Sequence, residues 1–514
     1  MSPSAPFSPN VRITDDTTPF PQHVEPSLVV DPRGHLYVGW KEAFTPDGPG
    51  QAVAFSRSED GGLTWSANIL PDPLDPNWHQ SDPWLTLDET GRLHFARLNY
   101  SADLTEGRLS VSSSVDGGRT WSATVNPDDR TGFADKESLA SDGNGSLYVA
   151  YDDVTSGSAD QGDRVDLRIS RSTDRGLTWS PTAPVADDAG LLLGPVVAAH
   201  ANGTVIAAWW NLTNGNVLAD TSQDHGSTWG PDVRVNPVPG SAEYVNTSWA
   251  GSMPSITLDG LGRVYVAWAD RGADDLDILV ARSEDAGLTW STPVRVNDDA
   301  SRRDQWMPSM VADAGGILHA AWLDGRTGNW NVYYAKSTDA GRTWSPNLRV
   351  TTAETAGSFA RPGDYLALAA DANGTAYVAW TDGRDGSLDI YFARHPSGLL
   401  PLQILANPSG GTIPFTVSFS ATLDGGVPPY VYDWDFGDGS RSTSPAPSHT
   451  FGAAGDWPVR LTVTDANGLT GTSTIVVQAR EPFPWVPVVA LSSGIVLAAI
   501  AYLFLRRRRG PPVG

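Results

Sequence analysis

No cysteine occurs in the 514 residues, which excludes a disulfide framework, thiolate catalysis and Cys-ligated zinc or iron–sulfur centres. Basic charge is scarce as well: 35 Lys and Arg stand against 59 Asp and Glu, a net charge of −24. A nucleic-acid groove needs a concentrated basic face, and the one basic run is Arg506 to Arg509, so no nucleic-acid partner is expected. What is plentiful is backbone punctuation, with 52 Gly and 39 Pro. Hydrophobic residues at 40%, including 20 Trp, supply enough apolar surface for sizeable cores, so the chain is not a disordered polyanion.

Internal repetition dominates the first three quarters or so of the chain. The pattern S-x-D-x-G-x-T-W occurs six times: Ser58 to Trp65, Ser114 to Trp121, Ser172 to Trp179, Ser222 to Trp229, Ser283 to Trp290 and Ser337 to Trp344. Successive tryptophans lie 56, 58, 50, 61 and 54 residues apart, a spacing that suits one four-stranded propeller blade per repeat. An apolar strand precedes each box and a short strand follows it, so the box is expected to be a hairpin turn. Its Asp can accept from backbone amides, its Gly can take positive φ and its Trp can cover the hairpin.

A second repeat precedes each box: an apolar strand, a D-x-x-G type turn and another apolar strand, as in Pro26 to Trp40, Pro254 to Trp268 and Pro308 to Trp322. It occurs seven times, once more than the box. The seventh, Leu366 to Trp380, is followed by a strand at Asp389 to Arg394 and then by His395-Pro396, with no box and no fourth strand. The missing strand is expected from the N-terminus, because FSPNVRIT (Phe7 to Thr14) closely matches WSPNLRVT (Trp344 to Thr351). Such a closure removes open sheet edges. The expected fold is all-β: a seven-bladed β-propeller over residues 7–396 with six Asp boxes.

Six Asp boxes on a propeller resemble the sialidase (neuraminidase) superfamily, the BNR-repeat proteins. That resemblance implies a catalytic pocket on the face opposite the boxes, which are then structural. Enzymes of the family usually have six blades, so seven is a departure. Residues 401–479 resemble a PKD domain through Trp434-Asp-Phe-Gly-Asp-Gly439 and Leu461-Thr-Val-Thr-Asp465. Alternation along Val459 to Val463 independently supports an immunoglobulin-like β-sandwich. Residues 480–485 read as a linker.

The stretch 486–505 is uncharged and long enough for one transmembrane helix, and the basic tail 506–514 follows. By the positive-inside rule the tail is cytoplasmic, which places the propeller and PKD domain outside a cell membrane crossed once. The start, MSPSAPFSPN, shows no export signal, so an inward-facing tail anchor is the alternative.

A sialidase-type site, as the resemblance implies, needs three arginines for a carboxylate, an acidic proton donor, and a tyrosine nucleophile activated by a glutamate. Candidates in the ligand-facing loops are Tyr365 or Tyr244 as nucleophile, Glu243 or Glu137 as its partner, and Asp47 or Asp82 as the acid. The family's first clamp arginine lies in an F-R-I-P segment. Here the corresponding residues are His23-Val24-Glu25-Pro26, with Val24 in the arginine's place. Arg271, Arg326 and Arg384 are substitutes by position, but they recur at corresponding places on consecutive blades, which favours blade-to-blade ion pairs over a clamp.

No cofactor and no metal are expected. The loop carrying Asp270, Asp274, Asp275 and Asp277 has the hard oxygen ligands that suit calcium, but acidic loops on so acidic a chain are ordinarily just solvated. The functional expectation is a membrane-anchored, sialidase-like surface propeller that recognises glycans or proteins without efficient turnover. The alternative is an exo-α-sialidase type glycoside hydrolase.

Overall fold

The computed structural model describes residues 7–45, 49–128, 130, 132–154, 165–187, 190–238, 253–271, 275–353, 363–395, 402–423, 429–464 and 470–482. The chain divides into two compact units, Met1–Leu399 and Leu400–Gly514. Among the described residues every regular element is a β-strand.

The first unit consists of antiparallel meanders in which each strand pairs with the next in sequence. Strands Val205–Asn211, Leu318–Asp324 and Ala376–Asp382 are buried along their whole length. That explains their near-continuous apolar runs, since a strand covered on both faces loses the alternation of a half-exposed one. In each an alanine immediately precedes the tryptophan, Trp209, Trp322 or Trp380, and these are at most 1% exposed and fill the space between neighbouring sheets. One seven-stranded sheet joins two meanders through the single parallel pair Gly107↔Phe133. In the first two meanders the fourth strand shrinks to isolated bridges, Phe55↔Ile69 and Val111↔Val125. These sheets are consistent with a β-propeller.

Strand Val11–Arg12 pairs antiparallel with Asp389–His395, with Val11 opposite Phe392 and Arg12 opposite Tyr391. Two further backbone bonds extend the seam, Ser8 N–H to the Arg394 carbonyl at 2.9 Å and Ile13 N–H to the Ile390 carbonyl at 2.8 Å. The first residues of the unit thus cover an edge of its last meander.

Each of the six boxes closes through the same local bonds. In the fifth, the Ser283 hydroxyl accepts from Gly287 N–H at 2.8 Å and donates to Asp285 at 2.7 Å. Asp285 in turn accepts from Thr289 N–H at 2.9 Å and from the Thr289 hydroxyl at 2.6 Å. Gly287 is required twice over: its φ is +88°, and a Cβ there would lie 2.7 Å from Ile206 and Thr221 of the neighbouring meander. These carboxylates are committed to the turn, which is a structural role.

The second unit is built from a three-stranded sheet (Leu402–Asn407, Phe415–Leu423, Ser448–Phe451) and a five-stranded sheet. The latter is dominated by Gly455–Thr464 paired with Thr470–Arg480. Alternate residues Val459, Leu461 and Val463 point inward with Phe419, Trp434, Phe451 and Val477, giving one core. Residues 486–505 and the arginines after them lie outside the described residues, among which no helix is long and apolar enough to cross a membrane.

Candidate functional site

The first strands of the meanders wall a central cavity of about 450 Å³, lined by Pro26, Trp84, Pro254, Pro308 and Tyr365 among others. Several of these strands carry a register shift just before the cavity, between Val24 and Ser27, Ser81 and Trp84, Asp135 and Ser138, Leu193 and Val196, and Trp306 and Ser309. A bulge re-aims the side chains that follow it. Glu25, Asp82, Lys136 and Met307 sit at these shifts with φ of +60°, +49°, +51° and +53°. Left-handed backbone at non-glycine residues costs roughly 1–3 kcal/mol each and persists only where the surroundings enforce it. Glycine takes the same conformation at Gly194 and Gly363.

The bulged residues meet in a buried charge cluster. Lys136 Nζ lies 2.8 Å from Asp364 and 3.3 Å from Asp82, and Lys41 Nζ lies 2.8 Å from Glu25. Ser81 donates to Asp82 at 2.9 Å, and Gly194 N–H donates to Asp152 at 3.2 Å. Both carboxylate oxygens of Glu137, one each of Asp152 and Glu25, and the Tyr365 hydroxyl have no hydrogen-bond partner among the described residues. Tyr365 packs beside Trp84 with ring centroids 6.0 Å apart.

The electrostatics follow from burial of many acids around two lysines. Burial drives the Asp82 carboxyl up, but Lys136 and Lys41 outweigh it and hold the group below the ordinary carboxylate range. Burial pulls Lys136 down, yet Asp82, Asp135 and Glu25 leave it above the usual lysine value, so it is charged at neutral pH. Burial pushes Asp135 up to about 6, with Lys136 opposing and Asp82 reinforcing. Glu137 and Asp152 are raised well above ordinary values, first by burial and then by Asp82 and Asp135 respectively. The Tyr365 hydroxyl is raised too, by burial and by Asp82 and Glu25, which opposes formation of a tyrosinate. Burial and mutual repulsion thus favour the protonated form of Glu137 and Asp152, which pairs an O–H donor with an acceptor oxygen in each.

Of the residues picked from sequence, the structure brings Tyr365, Asp82 and Glu137 into this cluster. Asp47, Glu243 and Tyr244 lie outside the described residues. Val24 is 1% exposed and packs as an apolar residue.

No arginine among the described residues lines the central cavity. Arg326 folds back on Asp324 at 2.8 Å, reaches Asp298 at 2.9 Å and covers the Tyr333 ring at 4.1 Å. Arg384 pairs with Asp382 at 2.5 Å, donates to Asn10 at 3.1 Å and covers Tyr391 at 4.3 Å. A glycine separates each of these arginines from its aspartate, whereas Arg271 follows Asp270 directly and stands exposed at the end of strand Val264–Arg271. In that loop Asp270 accepts from Trp268 at 2.7 Å and Asp277 pairs with Arg295 at 2.9 Å. Among the described residues no three acids or histidines are grouped to hold a metal ion.

Sequence reasoning missed Lys41, Asp135 and Lys136. A signal was present in Asp135-Lys136-Glu137, a fully charged triplet inside a strand whose sister copies read Glu25-Pro26 or Met307-Pro308. A charge, Glu137, in place of that proline marks a site that is hydrogen-bonded or functional.

Residues 262–378 match a BNR repeat-like domain and residues 406–479 match a PKD domain, so the two modules follow one another in this order. The chain is similar to a sialidase of Clostridium perfringens, 25% identical over 167 residues, covering 27% of this chain and 42% of that protein. It is also similar to a microbial collagenase of Vibrio alginolyticus, 52% identical over 48 residues, covering 9% of this chain and 6% of that protein. The chain thus spans less than half the length of these curated relatives. Among solved structures, a Hadza microbial sialidase aligns with a TM-score of 0.43 at 19% identity, covering 59% of this chain and 63% of that one.

Proposed function

We propose that the first unit is a seven-bladed β-propeller that recognises glycans or proteins at its central cavity without efficient turnover. In this reading the PKD unit is a stalk, and Val486 to Leu505 anchor the chain in a membrane with both units outside. The observation that carries the recognition reading is the composition of the cluster. Its cations are Lys41 and Lys136, with buried Arg97 near Glu137; each is already engaged by a carboxylate, and no arginine lines the cavity among the described residues. A carboxylate clamp depends on bidentate, charge-assisted bonds from guanidinium groups. At the cavity Asp364 and Tyr365 offer polar groups to sugar hydroxyls, and Trp84 and Tyr365 offer aromatic faces for a sugar ring.

The test is a comparison of neutral and sialylated oligosaccharides as ligands, together with an assay for release of sialic acid from an α-sialoside. Neutral hydroxyl-rich glycans are expected to bind and sialic acid is not expected to be released. One observation favours the alternative, an exo-sialidase: the Tyr365 hydroxyl has no hydrogen-bond partner among the described residues and lies near Glu137. Robust release by the wild type, abolished in a folded Tyr365→Phe variant, would establish that alternative.

The anchor reading rests on the uncharged run and the four arginines after it. The full chain is expected in the membrane fraction, and protease added to intact cells is expected to shed a soluble fragment. Protection of the first unit until the cells are lysed would favour the inward-facing anchor.

A further inference from the structure

A second cavity, of about 480 Å³, lies away from the charge cluster, where the meander containing Leu147–Val154 and Val165–Ser172 meets the box of the next. Tyr148, Arg171, Thr178, Trp179, His225 and Ser227 are among its lining residues. Its volume falls within the range of roughly 300–1,000 Å³ typical of small-ligand pockets.

The polar groups here break a rule that the sister hairpins obey. Elsewhere the ring six residues after the hairpin aspartate bonds to that aspartate: Tyr265 to Asp259 at 2.9 Å, Tyr377 to Asp371 at 3.0 Å, and His94 to Asp88 and His319 to Asp313 at 3.2 Å each. At the corresponding pair the Tyr148 hydroxyl, 0% exposed, does not bond to Asp142, one oxygen of which has no hydrogen-bond partner among the described residues, and Tyr148 lies beside Ser146 and Arg171 instead. Arg171 covers the Tyr148 ring at 5.8 Å and spends one donor on the Ser146 hydroxyl at 3.2 Å. Its Nε is unpartnered, as is Nδ1 of His225, which stands 4.0 Å from Asp142. Among the described residues no carboxylate forms an ion pair with Arg171, in a chain of net charge −24 where most arginines have one.

We infer that this cavity binds a carboxylate-bearing sugar unit, with Arg171 holding the carboxylate and Trp179 providing a face for the ring. The guanidinium is the unsatisfied cation, and a planar fork matches a carboxylate. An acceptor-bearing ligand in the cavity gives the Arg171 guanidinium the carboxylate it lacks, and the Trp179 indole that lines the same cavity suits the apolar face of a pyranose. This site is independent of the central cavity and of the function proposed there.

The experiment is isothermal titration of the full chain with methyl glucuronide, methyl glucoside and acetate. The glucuronide is expected to bind, the glucoside about tenfold or more weaker, and Arg171→Gln is expected to weaken glucuronide binding by a similar factor, in line with loss of one charge-assisted contact. Should Arg171→Gln fail to fold, Ser227→Trp, at an exposed rim position, is expected to block the cavity with the same result. Equal binding of glucuronide and glucoside, glucuronide binding indifferent to both variants, or no binding at all would overturn the inference. Acetate binding as tight as glucuronide would overturn its sugar part.

Discussion

Replacing Lys136 by methionine is expected to destabilise the first unit by about 3–5 kcal/mol at pH 7, the range for breaking a buried ion pair by removing one partner. Lys136 is 19% exposed in its side chain and lies against Asp82 and Asp364, each 5% exposed, so its loss leaves two buried carboxylates with one cation fewer. The pH dependence identifies the cause. In the wild type the depressed Asp82 contributes stability above its unfolded value near 3.9, which is lost as pH falls through its lower folded value. Asp135, raised to about 6, works the other way: its contribution is complete below about 3.9 and is lost as pH rises toward 6.

Without Lys136 every neighbouring acid titrates higher, so protonation relieves the variant more than the wild type. The stability gap measured by chemical denaturation should therefore narrow between pH 7 and pH 5. A gap that stays constant would mean that Lys136 acts through packing of its stem, and an equally stable variant would dismiss the cluster as an organising element.

Deleting residues 1–14 is expected to lower the melting temperature by on the order of 10 °C and to cause concentration-dependent aggregation. The deletion removes the ladder of Val11–Arg12 on Asp389–His395 and the buried side chain of Ile13, 3% exposed. It also strips Asp389, 1% exposed in its side chain, of Arg12 at 2.9 Å and the Thr14 hydroxyl at 2.8 Å. Asn10 accepts from Thr352 N–H of the neighbouring meander at 2.7 Å and from Arg384 of the last meander at 3.1 Å, so the same segment ties two meanders together. The exposed strand edge is a template for association between chains. Calorimetry and size-exclusion chromatography would read the two effects. A truncated chain that melts at the wild-type temperature and elutes as a monomer would show that the seam is dispensable.

The elements that the sequence alone determined are those whose interactions close over a few residues. An Asp box is complete within eight positions, because Ser, Asp, Gly and Thr satisfy one another inside one turn, as Ser283, Asp285, Gly287 and Thr289 do. The D-x-x-G hairpins are equally local: Asp259 accepts from Leu261 and Arg263 two and four residues on. Repetition of such units made an all-β chain of meanders legible, and alternation at Val459 to Val463 did the same for the second unit.

The centre was decided only by tertiary structure. Lys136 is 54 residues from Asp82 and 228 from Asp364, and no local spacing links them. They meet because separate first strands converge, and the three that carry Glu25, Asp82 and Lys136 are bulged there, with left-handed backbone that brings these side chains into one cluster. The same convergence raises Glu137 and Asp152 above ordinary carboxyl values, since burial and neighbouring charge belong to the packed sheets rather than to either residue. Turns are specified by short-range hydrogen bonds that a sequence displays. A charge cluster depends on through-space energies between distant strands, and these exist only once the sheets have packed.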